Sequence, residues 1–545
     1  MAKFGSKDAK AFLFPTCQIA ARGVAFVKAR APPAVAASLD IVTLVLDTTR
    51  QVPEALASLS PVISAVLCSQ EAFPFLKQYW QHSGDGVSSR RAEFCHSLFQ
   101  DGLLCLEEGA APQPPTSPKP CRGPKRYQRG SSIDITKTTP SPKPGTGRDS
   151  GAGPDVQETS RFLEERFGRN LDVSFVQPAR SAIKRRIAGS LRSDSELTTT
   201  PPPENEMASN SRGVVNLREE DVYLFPCGMS AIFNSHRALL GARGSMKSIE
   251  FGFAYVDTLK ILEKFGPGVL FYGHASESDL DDLEKRLEAG ERFLALFCEF
   301  PTNPLLSCPN LPRIRQLADK YDFAVVVDET IGTFANVNVL PFADIVASSL
   351  TKIFSGDCNV MGGSAIFNPN GRYYDALKRW ARTEYEDTYW PEDVIFLERN
   401  SRDFASRIDR INANAEAICD VLRQCPMVKR IFYPKYNETR ANYEACKLPG
   451  GGWGGLLSVV FRNREQAIAF YDAVDTAKGP SLGTNFTLTS PYVLLAHYQE
   501  LDWAEEFGVE RDLIRISVGL EETEHIVNVF KAALKVAEDG TGAQK

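Results

Sequence analysis

The 545-residue chain predicts an α/β protein built on a mostly parallel, doubly wound sheet, with a smaller C-terminal α/β domain. Three observations carry this. Apolar runs at residues 222–225, 248–253, 269–272, 293–300, 323–328, 345–349 and 363–367 are separated mainly by stretches of helical periodicity, as in strands joined by crossover helices. One run, Val325-Val326-Val327-Asp328, is apolar throughout and ends in a carboxylate, as a strand buried on both faces does where it leaves a sheet. Helical periodicity then dominates 394–422, before strand-like runs at 457–461 and 513–518 and a closing helix over 522–537.

In chain order, residues 1–108 alternate strand-like segments (11–14, 39–46, 64–68) with helical patterns (52–59, 74–82), predicting an accessory α/β region in which no chemistry is legible. Residues 109–156 are rich in Pro, Ser, Thr, Lys and Gly and cannot bury enough apolar surface to fold alone, so a disordered linker is expected. Residues 157–212 read as an arm with a flexible insertion at 193–212. The large sheet domain is expected over 213–390 and the C-terminal domain over 391–545.

Composition excludes several classes. A net charge of −6 argues against a nucleic-acid binder that depends on phosphate neutralisation. No apolar run reaches membrane-spanning length, and the first residues lack the apolar stretch of a secretory signal, so a cytoplasmic protein is expected. The 12 cysteines include no Cys-x-x-Cys pair and the 6 histidines no ligand-spaced pair, so reduced thiols and no metal site are expected. Gly450 to Gly455 formally fits a dinucleotide fingerprint, but it precedes a strand instead of following one and reads as a tight loop.

The chemistry is concentrated around Lys352. A strand-like run enters a polar turn, Ser349-Leu350-Thr351-Lys352, in which two hydroxyls flank a lysine. A lysine amine can form a Schiff base with pyridoxal phosphate while hydroxyls and backbone N–H groups hold the phosphate ester. A solvated lysine after a buried strand is the ordinary alternative, and the upstream residues weigh against it. Asp328 can pair with a protonated pyridine nitrogen. Gly228 and Met229 open a helix after residues 222–225, and a glycine turn at a helix start presents free N–H groups to a phosphate.

With those residues in order, the chain resembles the Cys/Met-metabolism, or trans-sulfuration, family of pyridoxal-phosphate enzymes over about residues 160 to 540. Gly228-Met229-Ser230-Ala231 is similar to the family's phosphate loop, with Ser349 and Thr351 as further phosphate ligands. Tyr255 matches the tyrosine that stacks on the cofactor ring. Asn303, within Glu299-Phe300-Pro301-Thr302-Asn303-Pro304, matches the asparagine that bonds the ring hydroxyl. Asp328 and Lys352 match the pyridine partner and the Schiff-base lysine, and Ser481 and Arg515 the pair that holds the substrate carboxylate. The resemblance implies the fold type I of pyridoxal-phosphate transferases and a homodimer or homotetramer with shared active sites. It also implies small-molecule amino-acid substrates. The implied reaction is γ-replacement on an activated homoserine ester, O-acetyl- or O-succinylhomoserine, by L-cysteine to give L-cystathionine, toward methionine. Lys352 would move the α-proton with a pKa lowered by burial and nearby positive charge, and Tyr255 would orient the ring and share proton transfer.

The family's Tyr-x-Arg-x-Gly, supplied to the neighbouring subunit's cofactor, has its counterpart in Glu164-Glu165-Arg166-Phe167-Gly168, which keeps Arg166 and places Glu164 at the tyrosine. Arg169 is the competing phosphate arginine. Phe486 stands near the position of an acid common in bacterial members. These departures leave open a sulfhydrylase using sulfide, another nucleophile in secondary metabolism, a cystathionine lyase, or, from a different class, a non-catalytic scaffold.

Overall fold

The computed structural model describes residues 10–107, 175–191 and 210–542. The expected linker at 109–156 and most of the arm lie outside the described residues.

An N-terminal antiparallel sheet, ordered β1-β3-β2-β4, comprises β1 (Lys10–Phe14), β2 (Asp40–Leu46), β3 (Val62–Cys68) and β4 (Leu104–Leu106). Helices Cys17–Lys28 and Ser89–Gln100 were not legible from periodicity. Each starts at a hydroxyl cap, Thr16 accepting from the Ile19 amide at 3.2 Å and Ser88 from the Arg91 amide at 3.3 Å. Helix Phe73–Ser83 has Pro74 in its first turn and stops at Gly84, whose φ of 65° suits a left-handed cap.

The large sheet holds β5 (Val222–Phe225), β6 (Ser248–Phe251), β7 (Val269–Tyr272), β8 (Ala295–Glu299), β9 (Ala324–Asp328), β10 (Ile345–Ser349) and β11 (Gly363–Phe367), in the order β5-β11-β10-β9-β8-β6-β7. The pairs among β7, β6, β8, β9 and β10 are parallel, and β11 is antiparallel to both its neighbours. This is the expected mostly parallel, doubly wound architecture. Alternation along β9 shows why its sequence is apolar throughout. Val325 and Val327 enter a core with Leu296 and Ile314, while Ala324 and Val326 face a second core with Phe233 and Phe297.

The C-terminal sheet, ordered β12-β13-β16-β15-β14, contains β12 (Val428–Phe432), β13 (Leu456–Phe461), β14 (Ala477–Lys478), β15 (Leu488–Ser490) and β16 (Ile514–Ser517). Helices Phe404–Arg423 and Thr523–Gly542 cover it. Only β13 and β16 were read from the sequence, because β14 and β15 are too short to show a period and β12 carries Lys429 and Arg430. The Gly450 to Gly455 segment is a loop ahead of β13, with its amides at Gly452 and Gly454 donated to Asn336 and Asn412.

The second core does not end at the large sheet. It runs through helix Gly228–Arg243 into Phe14, Leu76 and Tyr79 of the N-terminal unit, with Phe26, Phe233 and Phe265 in ring contact across the seam. Leu76 is fully buried there. Leu76→Ala should cost about 2–5 kcal/mol and, because the core is continuous, lower the thermal midpoint of both units together. Calorimetry resolving an N-terminal transition that shifts alone would show the seam to be uncoupled.

Candidate active site

Strand register collects the site at one edge of the large sheet. β8, β9 and β10 run parallel with Glu299 opposite Asp328 and Asp328 opposite Ala347, so these side chains gather at the C-terminal ends of the strands. β11 returns between β10 and β5, setting Ser349 opposite Gly363 and Gly363 opposite Phe225. That row brings the turn after β5 beside the turn after β10. The approach is close: a Cβ on Gly228 would lie 2.7 Å from Ser349 Cβ and 3.0 Å from its Oγ. In helix Gly228–Arg243 the first helical rung is the Ala231 amide to the Cys227 carbonyl at 3.2 Å, so the amides of Gly228, Met229 and Ser230 have no helical acceptor. With the Ser349 hydroxyl alongside, they form a cradle that fits a phosphate. Thr351 is differently engaged, its hydroxyl donating to the Gly362 carbonyl at 3.2 Å and accepting from the Gly362 amide at 3.1 Å.

Two carboxyl groups organise the rest. Asp328 Oδ1 accepts from the Thr330 amide at 2.8 Å and hydroxyl at 2.5 Å, and that hydroxyl accepts from the Ser349 amide at 2.7 Å. Burial pushes the Asp328 pKa up and the Thr330 donors pull it back, so a cation beside this carboxylate would be strongly favoured. Glu299 Oε1 accepts from the Tyr255 amide at 2.7 Å and Oε2 from the Asn303 amide at 3.0 Å, so one side chain sets two of the expected ligand positions. Burial and then Asp328 push its pKa up to about 8, against the pull of those amides and Arg515. On neighbouring β6, Glu250 is buried with no hydrogen-bond partner among the described residues, and burial, then Glu299 and Asp328, push its pKa well above the usual carboxylate range.

Lys352 lies in the turn after β10, and its Nζ donates to Ser481 Oγ at 3.0 Å. Burial and then the Arg515 guanidinium push its pKa below the ordinary lysine range, the direction anticipated from the sequence. Gly483, at φ 69°, rests on the lysine: a Cβ there would fall 2.9 Å from Lys352 Cβ and 2.5 Å from the Ile353 nitrogen. The Gly483 amide donates to Ser517 Oγ at 2.7 Å, pinning this loop to β16. Arg515, buried on β16, donates to Asn303 Oδ1 at 3.0 Å and to the Ser481 carbonyl at 2.9 Å, and its guanidinium lies 4.2 Å over the Tyr492 ring. Asn303 Nδ2 donates to the Tyr492 hydroxyl at 3.0 Å, leaving a second amide hydrogen. Tyr255 is 44% exposed, yet shielding of its hydroxyl and the Asp257 carboxylate push its pKa up, so it is a protonated phenol at neutral pH.

The structure thus brings Lys352, Ser481, Arg515 and Asn303 into one connected cluster, with Asp328 and Ser349 linked through Thr330. Glu164, Arg166 and Arg169 lie outside the described residues. Sequence reasoning missed Thr330, Tyr492 and Glu250. Thr330 could have been read from its place two residues after Asp328, where a hydroxyl and amide can both turn back to a carboxylate. Tyr492 and Glu250 carry no local signal, since long-range packing alone makes them neighbours. Among the described residues, no group of three or more His, Cys, Asp or Glu side chains is arranged to hold a metal.

The raised Glu299 pKa has a measurable sign. Between about pH 5 and pH 8 the folded, cofactor-free protein keeps a proton on Glu299 that the unfolded chain, with a pKa of about 4.3, releases. This group's contribution is therefore fully present below the unfolded value and lost as pH rises through the folded one. Glu299→Gln should flatten the decline of the urea midpoint over that window, even if it lowers the midpoint overall; an unchanged slope would place the proton elsewhere.

Comparison with known proteins agrees with this geometry. Residues 212–535 match the Cys/Met metabolism PLP-dependent enzyme family, and residues 1–88 match the fungal trans-sulfuration enzyme N-terminal domain. A cystathionine gamma-synthase of Neurospora crassa is 67% identical over 98% of this chain and 87% of its own length. That of Saccharomyces cerevisiae is 35% identical over 98% of this chain and 90% of its own. Among solved structures, cystathionine gamma synthase from Xanthomonas oryzae pv. oryzae, in complex with aminoacrylate and cysteine, shares the fold with a TM-score of 0.53 and 22% identity, over 66% of this chain and 98% of that one. The chain belongs to the Cys/Met metabolism family of pyridoxal-phosphate-dependent enzymes, joined to a fungal trans-sulfuration N-terminal domain.

Proposed function

We propose that this enzyme catalyses γ-replacement on an O-acylhomoserine, joining L-cysteine to its γ-carbon to give L-cystathionine and releasing the acyl group as a carboxylic acid. The observation that carries this reading is the Lys352 amine at the edge of the parallel sheet, donating to Ser481 Oγ and lowered in pKa by burial and then the Arg515 charge. The similarity to the Neurospora crassa cystathionine gamma-synthase over nearly the whole chain supports the choice of reaction.

When bound, pyridoxal phosphate supplies an aldehyde that takes up amino groups and a cationic ring that draws electrons from the substrate's α-carbon. The Gly228 and Met229 amides and the Ser349 hydroxyl hold its phosphate, Thr351 bracing the turn through Gly362. Asp328 keeps the ring nitrogen protonated, a role its single free oxygen suits because Thr330 already occupies Oδ1. Tyr255 covers the ring face, and its protonated phenol donates hydrogen instead of acting as a base. The spare amide hydrogen of Asn303 serves the ring hydroxyl.

Lys352 is the attachment point and then the proton carrier. Burial and then the Arg515 charge lower its pKa from the ordinary lysine value, which favours the neutral amine that takes the α-proton. Arg515, its guanidinium plane fixed by Asn303 and Tyr492, receives the substrate carboxylate in a fork. Ser481 hands its hydroxyl from the lysine amine to that carboxylate. Arg166 is the proposed contributor from a second copy, which makes the working form a homodimer or homotetramer. A cytoplasmic location is supported by the free thiols of all the described cysteines.

Borohydride reduction followed by peptide mass analysis should find the pyridoxyl group on Lys352, and Lys352→Ala should abolish both the adduct and turnover; an adduct on another lysine would refute the assignment. Arg515→Ala should raise KM for the O-acylhomoserine by about two orders of magnitude, since truncating one partner of a buried charge pair costs about 2–5 kcal/mol. Initial rates with cysteine against sulfide decide the nucleophile, and a preference for sulfide would replace the reaction proposed here by sulfhydrylation.

A further inference from the structure

The N-terminal unit, in which the sequence shows no chemistry, reaches the phosphate cradle through residues 82–85. Gly84 passes directly against the first turn of helix Gly228–Arg243: a Cβ there would lie 2.6 Å from Cys227 Sγ, 2.7 Å from the Ser230 nitrogen and 3.0 Å from Met229 Cβ. The Gly84 carbonyl accepts from the Cys227 thiol at 3.5 Å. Next to it, Asp85 is 3% exposed and accepts through Oδ1 from Ser230 Oγ at 2.9 Å and from Asn234 Nδ2 at 3.5 Å. Its Oδ2 accepts from the Tyr79 hydroxyl at 3.2 Å and stands 3.8 Å from an Arg22 nitrogen. On the other side, His82 Nδ1 is 2.8 Å from Asp257 Oδ1, the carboxylate beside the Tyr255 phenol.

A carboxylate near a helix N-terminus would ordinarily compete with a phosphate for the same amides. Asp85 has its oxygens occupied by Ser230, Asn234, Tyr79 and Arg22, so it anchors the first turn by a side chain and leaves the cradle amides available. A hydrogen bond to a buried charged group is also among the stronger ways to fix a hydroxyl-bearing turn. Gly84 fills the back of that turn, where no other residue type fits without displacing the Ser230 amide.

We propose that residues 82–85 are a positioning brace through which the N-terminal unit holds the phosphate cradle in its binding geometry, with Asp85 and Gly84 as the positioning residues. This rests on the pyridoxal-phosphate site proposed above. It gives the fungal N-terminal domain a task in the reaction: the cofactor's phosphate end is completed by a part of the chain outside the catalytic fold.

The test compares uptake of pyridoxal phosphate with uptake of pyridoxal, which lacks the phosphate, by the cofactor-free full chain, followed by visible absorbance. Asp85→Asn and Gly84→Ala should each weaken pyridoxal phosphate binding about tenfold or more, the scale of one hydrogen bond to a charged group, while pyridoxal affinity stays within about twofold of wild type. Tyr79→Phe, which removes one donor to Asp85 with little change in shape, should give a smaller shift of the same kind and covers the case in which the other variants do not fold. Equal losses for both aldehydes, or unchanged pyridoxal phosphate affinity, overturn the brace. A wild-type protein that takes up neither aldehyde refutes the cofactor site itself, whereas wild type and variants sharing one preference for the phosphorylated aldehyde refute the brace alone.

Discussion

Three carboxyl groups crowd the working edge of the large sheet, and the site is arranged around keeping them compatible. Glu250, Glu299 and Asp328 stand on β6, β8 and β9, which are consecutive neighbours, with little water to screen them. Like charges this close cannot all ionise, and burial already disfavours each one. The structure resolves the conflict by giving the three groups different fates. Glu250 has no donor among the described residues and has its pKa pushed well up, Glu299 is held by two backbone amides, and Asp328 is held on one oxygen by Thr330. A cationic ring beside Asp328, as proposed for the cofactor, would add positive charge to this carboxyl group. The same crowding therefore favours a protonated heterocycle there over a neutral one.

Arg515 acts on both sides of this balance. Its guanidinium helps keep Glu299 from rising further and at the same time lowers the pKa of Lys352. Tyr492 and Asn303 fix its plane, so the cation proposed to receive a substrate carboxylate also conditions the amine proposed to move the proton. On that proposal, binding and proton transfer are coupled electrostatically through one side chain, and a replacement there would alter more than affinity.

Much of the large sheet was legible because its strands are buried on both faces, which writes continuous apolar runs such as Val325-Val326-Val327, and because they end in polar turns. The lysine turn, Asp328 and the Gly228 turn were legible for the same reason. β12, β14 and β15 were not, being short or charged, and the helices Cys17–Lys28 and Ser89–Gln100 were not read from periodicity either. Thr351 shows the limit at the site itself, since the sequence shows a hydroxyl beside the lysine but not that Gly362, brought back by β11, takes its hydrogen. Tyr492 and Asp85 lie beyond such reading, because the partners that tie them to the site, Asn303 and Ser230, are 189 and 145 residues away in the chain.

The lone reversed strand of the large sheet has a consequence for how this chain can vary. β11 sets the distance between the Lys352 turn and the Gly228 turn, because Gly363 stands in the row shared by Ser349 and Phe225. A slip of one residue would turn its alternate side chains to the opposite core and pull the two turns out of line together. Length changes can accumulate in the connections on either side, whereas within this five-residue segment the spacing of two turns distant in sequence is inherited as a unit.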